Sequence, residues 1–208
     1  IDAVTEGLHT KSRRESIERF AKYFAGAKQT PPLLNGLANE HYAENNYILA
    51  ETVSREVLSK PLASADILYG SGLINAHSNF ELERYKQAEE GYENLLSFKK
   101  EKDKSVLSER LAASIYKQAE KEPVVSLSAE LYLKVVDKVP NASIAPQALY
   151  DASSQFLQAK KWRQAIASLS VFQQRFPKHV LYNDASDKLV FAYLENKEPI
   201  SAAEKLIE

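Results

Sequence analysis

The sequence predicts an all-α fold of successive antiparallel helix pairs, and three observations carry that prediction. Apolar residues recur three, four and seven apart along most of the 208 residues, while period-two alternation is nowhere sustained. Only six glycines and eight prolines punctuate the chain. A two-helix pattern also returns in phase: the small residues near the start of each second helix are Ala50, Ala88, Ser128, Ala165 and Ala202, separated by 38, 40, 37 and 37 positions.

The first segment, from about 12 to 28, places Ile17, Phe20, Ala21 and Phe24 on one stripe, with Ser12 as its expected cap and Thr30, Pro31 and Pro32 as its end. From Pro31, Leu34, Leu37, Ala38 and His41 form one helical stripe. Asn45 and Asn46 mark a turn, and Tyr47, Ala50, Ser54 and Val57 form the next stripe before Pro61. The pattern returns as Leu73, Ala76 and Phe80, then Tyr85, Ala88, Tyr92 and Leu95, with Glu83 and Arg84 between. A degenerate copy follows, with Ala112, Ile115, Tyr116 and Ala119 before Pro123, and Val125, Ser128, Tyr132 and Val135 after it.

The clearest copy spans Pro146 to His179. Leu149, Ala152, Ser153 and Phe156 lie on one helix, and Trp162, Ala165, Leu169 and Phe172 on the next. Lys160 and Lys161 separate them, and Pro177 stops the second because it lacks an amide donor. Leu189, Val190 and Tyr193, then Pro199, Ala202 and Leu206, begin a further copy. The expected units are 31–68, 69–105, 106–145 and 146–182, with partial units at 1–30 and 183–208 in one repeat domain. The partial ends, and a chain that begins at Ile1 and contains no methionine, lead us to expect a fragment of a longer array.

Composition removes several function classes. With 27 basic and 28 acidic residues the formal charge is −1, so the chain lacks the overall field of a nucleic-acid binder. No run approaches the roughly 18 apolar residues of a membrane span. Zero cysteine excludes disulfides and thiolate metal sites and is compatible with an oxidising or a reducing compartment. His41 with Glu44, and His77 with Glu81, share helix faces, but neither pair belongs to a His-Glu-x-x-His or paired Glu-x-x-His arrangement. No nucleophile elbow or phosphate loop is present, and Gly70 and Gly72 are read as relaxing the start of a helix. No catalytic residue, metal ligand or cofactor is expected.

The repeated pattern of large, small and aromatic positions resembles the tetratricopeptide repeat family. Leu149, Ala152, Ser153, Phe156, Trp162, Ala165, Leu169, Phe172 and Pro177 carry the resemblance in one unit. Ala76, Phe80, Tyr85, Ala88, Tyr92 and Leu95 carry it in another. It covers roughly 31 to 208, with departures at His41, Pro123 and Ser128. The resemblance implies a right-handed superhelical solenoid and a non-catalytic protein-interaction scaffold. The unit junctions Val139-Pro140-Asn141-Ala142-Ser143 and Phe176-Pro177-Lys178-His179 are similar to those of Gram-negative cell-envelope repeat proteins. That likeness implies a periplasmic setting, with the cytoplasm as the alternative.

In such a stack the first helix of each pair lines the concave side, so positions just beyond each core stripe face a shared groove. They are Asn35, Asn39 and Tyr42; His77 and Phe80; Arg110 and Lys117; and Tyr150, Ser154 and Gln158. Amides, aromatics and two cations suit an extended peptide, whose backbone needs hydrogen-bond partners and whose side chains need flat surfaces. Trp162 is read as packing rather than binding. Two alternatives stand beside the scaffold: self-association through exposed terminal helices such as 200–207, and a helical platform within a larger enzyme.

Overall fold

The computed structural model describes residues 2–98 and 103–207, with side chains from His9 onward. It is all-α, and its described residues form eleven helices and no strand. They fall into two compact units, Ile1–Glu101 and Lys102–Glu208.

The first unit contains α1 (Asp2–Tyr23), α2 (Thr30–Ala43), α3 (Tyr47–Leu58), α4 (Ala65–Glu81) and α5 (Tyr85–Leu96). Its core joins Ile17 and Ala21 of α1 to Leu34, Leu37 and Val57, and Ala38 and Ala50 to Ile74. Two expectations at its start are corrected. Ser12 lies inside α1 rather than capping it, and its carbonyl accepts the Ser16 hydroxyl at 2.8 Å. The prolines begin α2 instead of ending α1, because the first turn of a helix has no amide bonds for proline to break. Thr30 is the hinge: its hydroxyl donates to the Phe24 carbonyl at 2.6 Å.

Gly70 and Gly72 lie within α4 and do not relax its start, which is capped by Ser64. Gly72 instead permits close approach, since a Cβ there would stand 3.1 Å from Leu95 Cδ2. Gly91 on α5 is tighter still, at 2.8 Å from Ala76 Cβ. Small residues on facing helices thus set the spacing of α4 and α5.

The second unit contains α6 (Lys104–Lys121), α7 (Val125–Lys138), α8 (Ala145–Gln158), α9 (Trp162–Arg175), α10 (Tyr182–Glu195) and α11 (Pro199–Ile207). The predicted stripes are its core: Ala112, Ile115, Val135, Ala152, Phe156, Ala165, Leu169, Phe172 and Leu189 are at most 2% exposed. Each such Leu, Ile, Val or Phe side chain contributes about 1.5–3 kcal/mol by leaving water.

The turns inside the pairs explain the regularity. Asn45, Glu83, Lys160 and Lys197 have φ of 59°, 58°, 55° and 63°. In each case the next amide reaches back five residues, as in Asn46 N to His41 O at 2.8 Å and Lys161 N to Phe156 O at 2.9 Å. The left-handed residue and the long bond together close the first helix in a Schellman motif and start the second immediately. The α6–α7 connection lacks that motif, because Pro123 has no amide to donate. There Glu122 Oε1 accepts from Val124 N at 3.0 Å, and the Ser128 hydroxyl reaches the Ala119 carbonyl at 2.8 Å.

Candidate partner-binding face

In both units the first helices of neighbouring pairs adjoin along one face and are tied by side chains about one repeat apart. Asn35, half-buried on α2, accepts the Ser71 hydroxyl of α4 at Oδ1, 2.7 Å away. Tyr42 lies between Tyr47 and His77, with ring centroids 5.5 and 6.1 Å apart. His77 Nδ1 and the Tyr92 hydroxyl are 2.6 Å apart, and Phe80 meets Tyr85 edge-on at 5.3 Å. Asn39 is exposed and donates to the Asn35 carbonyl of its own helix at 3.1 Å. Of Asn35, Asn39, Tyr42, His77 and Phe80, four are thus already engaged between helices.

The second unit repeats this arrangement with charges. Tyr116 of α6 donates to Asp151 Oδ2 of α8 at 2.6 Å, and Gln147 donates to the other oxygen of Asp151 at 2.9 Å. One repeat later, Tyr150 of α8 donates to Asp184 of α10. Lys188 donates to the Tyr150 hydroxyl and to Ser154 Oγ at 3.3 Å, pairs with Asp184 at 3.0 Å, and sets its ammonium 4.1 Å from the Tyr150 ring centroid. Arg110 and Gln158 are exposed on the same helices, and Lys117 pairs with Glu120 at 2.5 Å.

These neighbours shift one another's protonation. Hydrogen bonds from Tyr150 and then Lys188 hold the Asp184 carboxyl below its ordinary range. Burial alone lowers Lys188, but its bonds to Tyr150 and Asp184 outweigh that and raise it. Burial and then Asp151 push the Tyr116 phenol upward, and burial pushes Tyr132 up to about 12. At neutral pH Asp184 therefore stays ionised, Lys188 protonated, and Tyr116, Tyr132 and Tyr150 neutral.

The sequence reading missed Asp151, Asp184 and Lys188. Their signal was present as Tyr116 to Asp151 and Tyr150 to Asp184, spacings of 35 and 34. A residue pair one repeat apart carries no helical periodicity, so a search for stripes passes over it. Trp162 packs at the start of α9, edge-on to Phe191 at 6.1 Å, as expected.

The opposite side of each unit has its own clefts, lined by the second helices. A 420 Å³ cleft between α3 and α5, lined by Leu58, Asn75, Gln87 and Leu95, is left open by Gly72 and Gly91. A 280 Å³ cleft between α7 and α9 is lined by Leu133, Val136, Ala167 and Val171. Among the described residues no group of three acidic, histidine or cysteine side chains converges to hold a metal, and no helix is long and apolar enough to cross a membrane.

Residues 142–208 match the model of the family YfiO, outer membrane lipoprotein. The helix pairs are tetratricopeptide-like. The tetratricopeptide-like stretch matched by that model covers α8 to α11, about a third of the chain. No curated protein sequence is significantly similar to the chain. Among solved structures, it is similar to YrrB, a tetratricopeptide protein with an unusual peptide-binding site, at 15% identity over 93% of this chain and 90% of that one, with a TM-score of 0.42. It is also similar to MamA of Desulfovibrio magneticus RS-1, at 16% identity over 88% and 93%, with a TM-score of 0.39. Superpositions this loose leave the description of the helix pairs to rest on the packing and turns above.

Proposed function

We propose that the chain is a non-catalytic scaffold that binds a peptide or protein partner on its first-helix faces, in the envelope of a Gram-negative bacterium. The observation that carries this reading is the row of aligned side chains those helices present. In one unit it comprises Asn35, Asn39, Tyr42, His77 and Phe80. In the other it comprises Arg110, Lys117, Tyr150, Ser154 and Gln158, joined by Asp184 and Lys188. Cross-links between the helices hold these groups in place before a partner arrives, so less conformational entropy is lost on binding. Exposed amides at Asn39 and Gln158 supply hydrogen-bonding groups for an extended backbone. The similarity of residues 142–208 to an outer membrane lipoprotein family supports the envelope setting.

A photo-crosslinking residue at position 158, compared with one at exposed Gln174 on α9, tests this. In envelope extract the scaffold reading expects a discrete adduct from position 158 that Arg110→Ala and Lys117→Ala weaken. Equal labelling from both positions refutes it. Gln173 is unsuitable as the outer control, because its side-chain amide donates to Ser186 Oγ at 2.7 Å and ties α9 to α10.

A second reading, homodimerisation through α11, is favoured by Ile200, Leu206 and Ile207, which are 76%, 71% and 86% exposed. Sedimentation over a concentration series tests it. A wild-type dimer that Leu206→Glu dissociates supports that reading, and a monomer throughout removes it.

A further inference from the structure

His41 is a buried polar residue whose ring nitrogens the packing does not use, as is the case for the Ser78 hydroxyl. It lies on α2 at 5% exposure, and neither ring nitrogen has a hydrogen-bond partner. A neutral imidazole carries one donor and one acceptor, and burying both unpaired costs free energy. Its carbonyl accepts the long bond of the α2–α3 turn, the role Phe156 and Tyr193 play at the ends of α8 and α10. A ring without buried nitrogens therefore serves the same place elsewhere in the chain.

The surroundings of His41 connect it to α1. Arg14 of α1 donates to Glu40 at 3.3 Å and to both oxygens of Glu44 at 2.9 and 2.6 Å, and Arg13 also pairs with Glu40. Ile17 and Ala21 of α1 pack on Leu34, Leu37 and Val57. The leading charges on the imidazole are Arg14 and Glu18 from α1, Glu40 from α2 and Glu44 at the C-cap of α2. Burial, and after it Arg14, hold its pKa below the ordinary value against the opposing pull of the carboxylates. Arg14 already occupies the two carboxylates that flank His41 in sequence.

We propose that His41 makes the docking of α1 onto α2 and α3 sensitive to acid, so that protonation of the ring releases α1 and uncovers Leu34, Leu37 and Val57. The docked state holds the ring neutral, whereas an undocked helix lets it titrate near its ordinary value of about 6.5. Docking is at full strength above that pH and weakens as pH falls towards the depressed pKa. Glu40 and Glu44 stay ionised through this window, since Arg13 holds Glu40 and Arg14 holds Glu44 below the usual carboxylate range. The ion pairs therefore outlast the neutral histidine.

Amide exchange of the full chain at about pH 7.5 and about pH 5.5, corrected for intrinsic rates, tests this. The amides of α1 are expected to lose protection by up to roughly tenfold per pH unit between the undocked ring's value of about 6.5 and the lower value of the docked ring, the slope of one linked proton. Those of α4 keep theirs, and His41→Phe removes the α1 effect. Unchanged α1 protection in the wild type, or an equal loss in His41→Phe, overturns the proposal. Should His41→Phe fail to fold, a ring titration of the wild type by nuclear magnetic resonance decides the matter. The docked ring must take up its proton below about pH 6.5, with the loss of α1 protection falling between about pH 6.5 and that midpoint; a docked ring that titrates at about 6.5 or above, or protection lost outside that interval, overturns the latch.

Discussion

The Ser128 hydroxyl donates to the Ala119 carbonyl at 2.8 Å, joining the first helical turn of α7 to the last of α6. It stands where Ala50, Ala88, Ala165 and Ala202 stand in the other pairs, and it belongs to the one intrahelix-pair turn that contains Pro123. Without a Schellman motif, the end of α6 keeps only the longer 3.3 Å bond from Glu122 N to that carbonyl. Ser128→Ala is therefore expected to cost about 1–2 kcal/mol, measured by urea denaturation. Ala165→Ser, placed against a turn that is already satisfied, brings no matching gain.

Lys160 adopts φ of 55° on the surface, a conformation that costs an L residue roughly 1–2 kcal/mol and glycine almost nothing. Lys160→Gly is expected to raise stability by about 0.5–1 kcal/mol after glycine's greater loss of chain entropy. A lower thermal midpoint would show that the side chain contributes more than the backbone strain it causes.

Gly91 and Gly36 make opposite predictions from the same substitution. A Cβ at Gly91 would overlap Ala76, whereas one at Gly36 meets nothing within 4 Å. Gly91→Ala is expected to destabilise by about 1–3 kcal/mol through overpacking. Gly36→Ala is expected to stabilise by up to about 1 kcal/mol through helix propensity. Denaturation midpoints of the two variants give the signs directly.

Asp184 links acid stability to the proposed partner-binding face. Its folded pKa is depressed by Tyr150 and then by Lys188. Its contribution is thus present above the unfolded carboxylate value of about 3.9 and lost as pH falls through the folded one. Asp184→Asn is expected to reduce the difference in urea midpoint between about pH 6 and about pH 3. An unchanged difference would mean that the bond to Tyr150 carries no linked stability.

Much of the fold was legible in the chain because each pair repeats one local code. The stripes through Leu149, Phe156, Leu169 and Phe172 are core, and Asn45, Glu83 and Lys160, which mark the turns in the sequence, have positive φ. The candidate face was legible only in part. Asn35, Tyr42, Tyr150 and Ser154 could be placed on a helix face by counting, but their partners Ser71, His77, Asp184 and Lys188 come from the next repeat.

By itself the sequence determined what depends on separations of a few residues: helix identity, the phase of the pairs, and the α6–α7 turn as the odd one. Tertiary structure alone decided what depends on one helix meeting another. It set the contact distances that require Gly72 and Gly91, the repeat-to-repeat bonds of Tyr116 and Tyr150, and the burial of His41 beside Arg14 and Glu44. The physical reason is range. A helical stripe is written by the 3.6-residue turn within one segment, whereas a bond across some 35 residues exists only after packing brings two segments together.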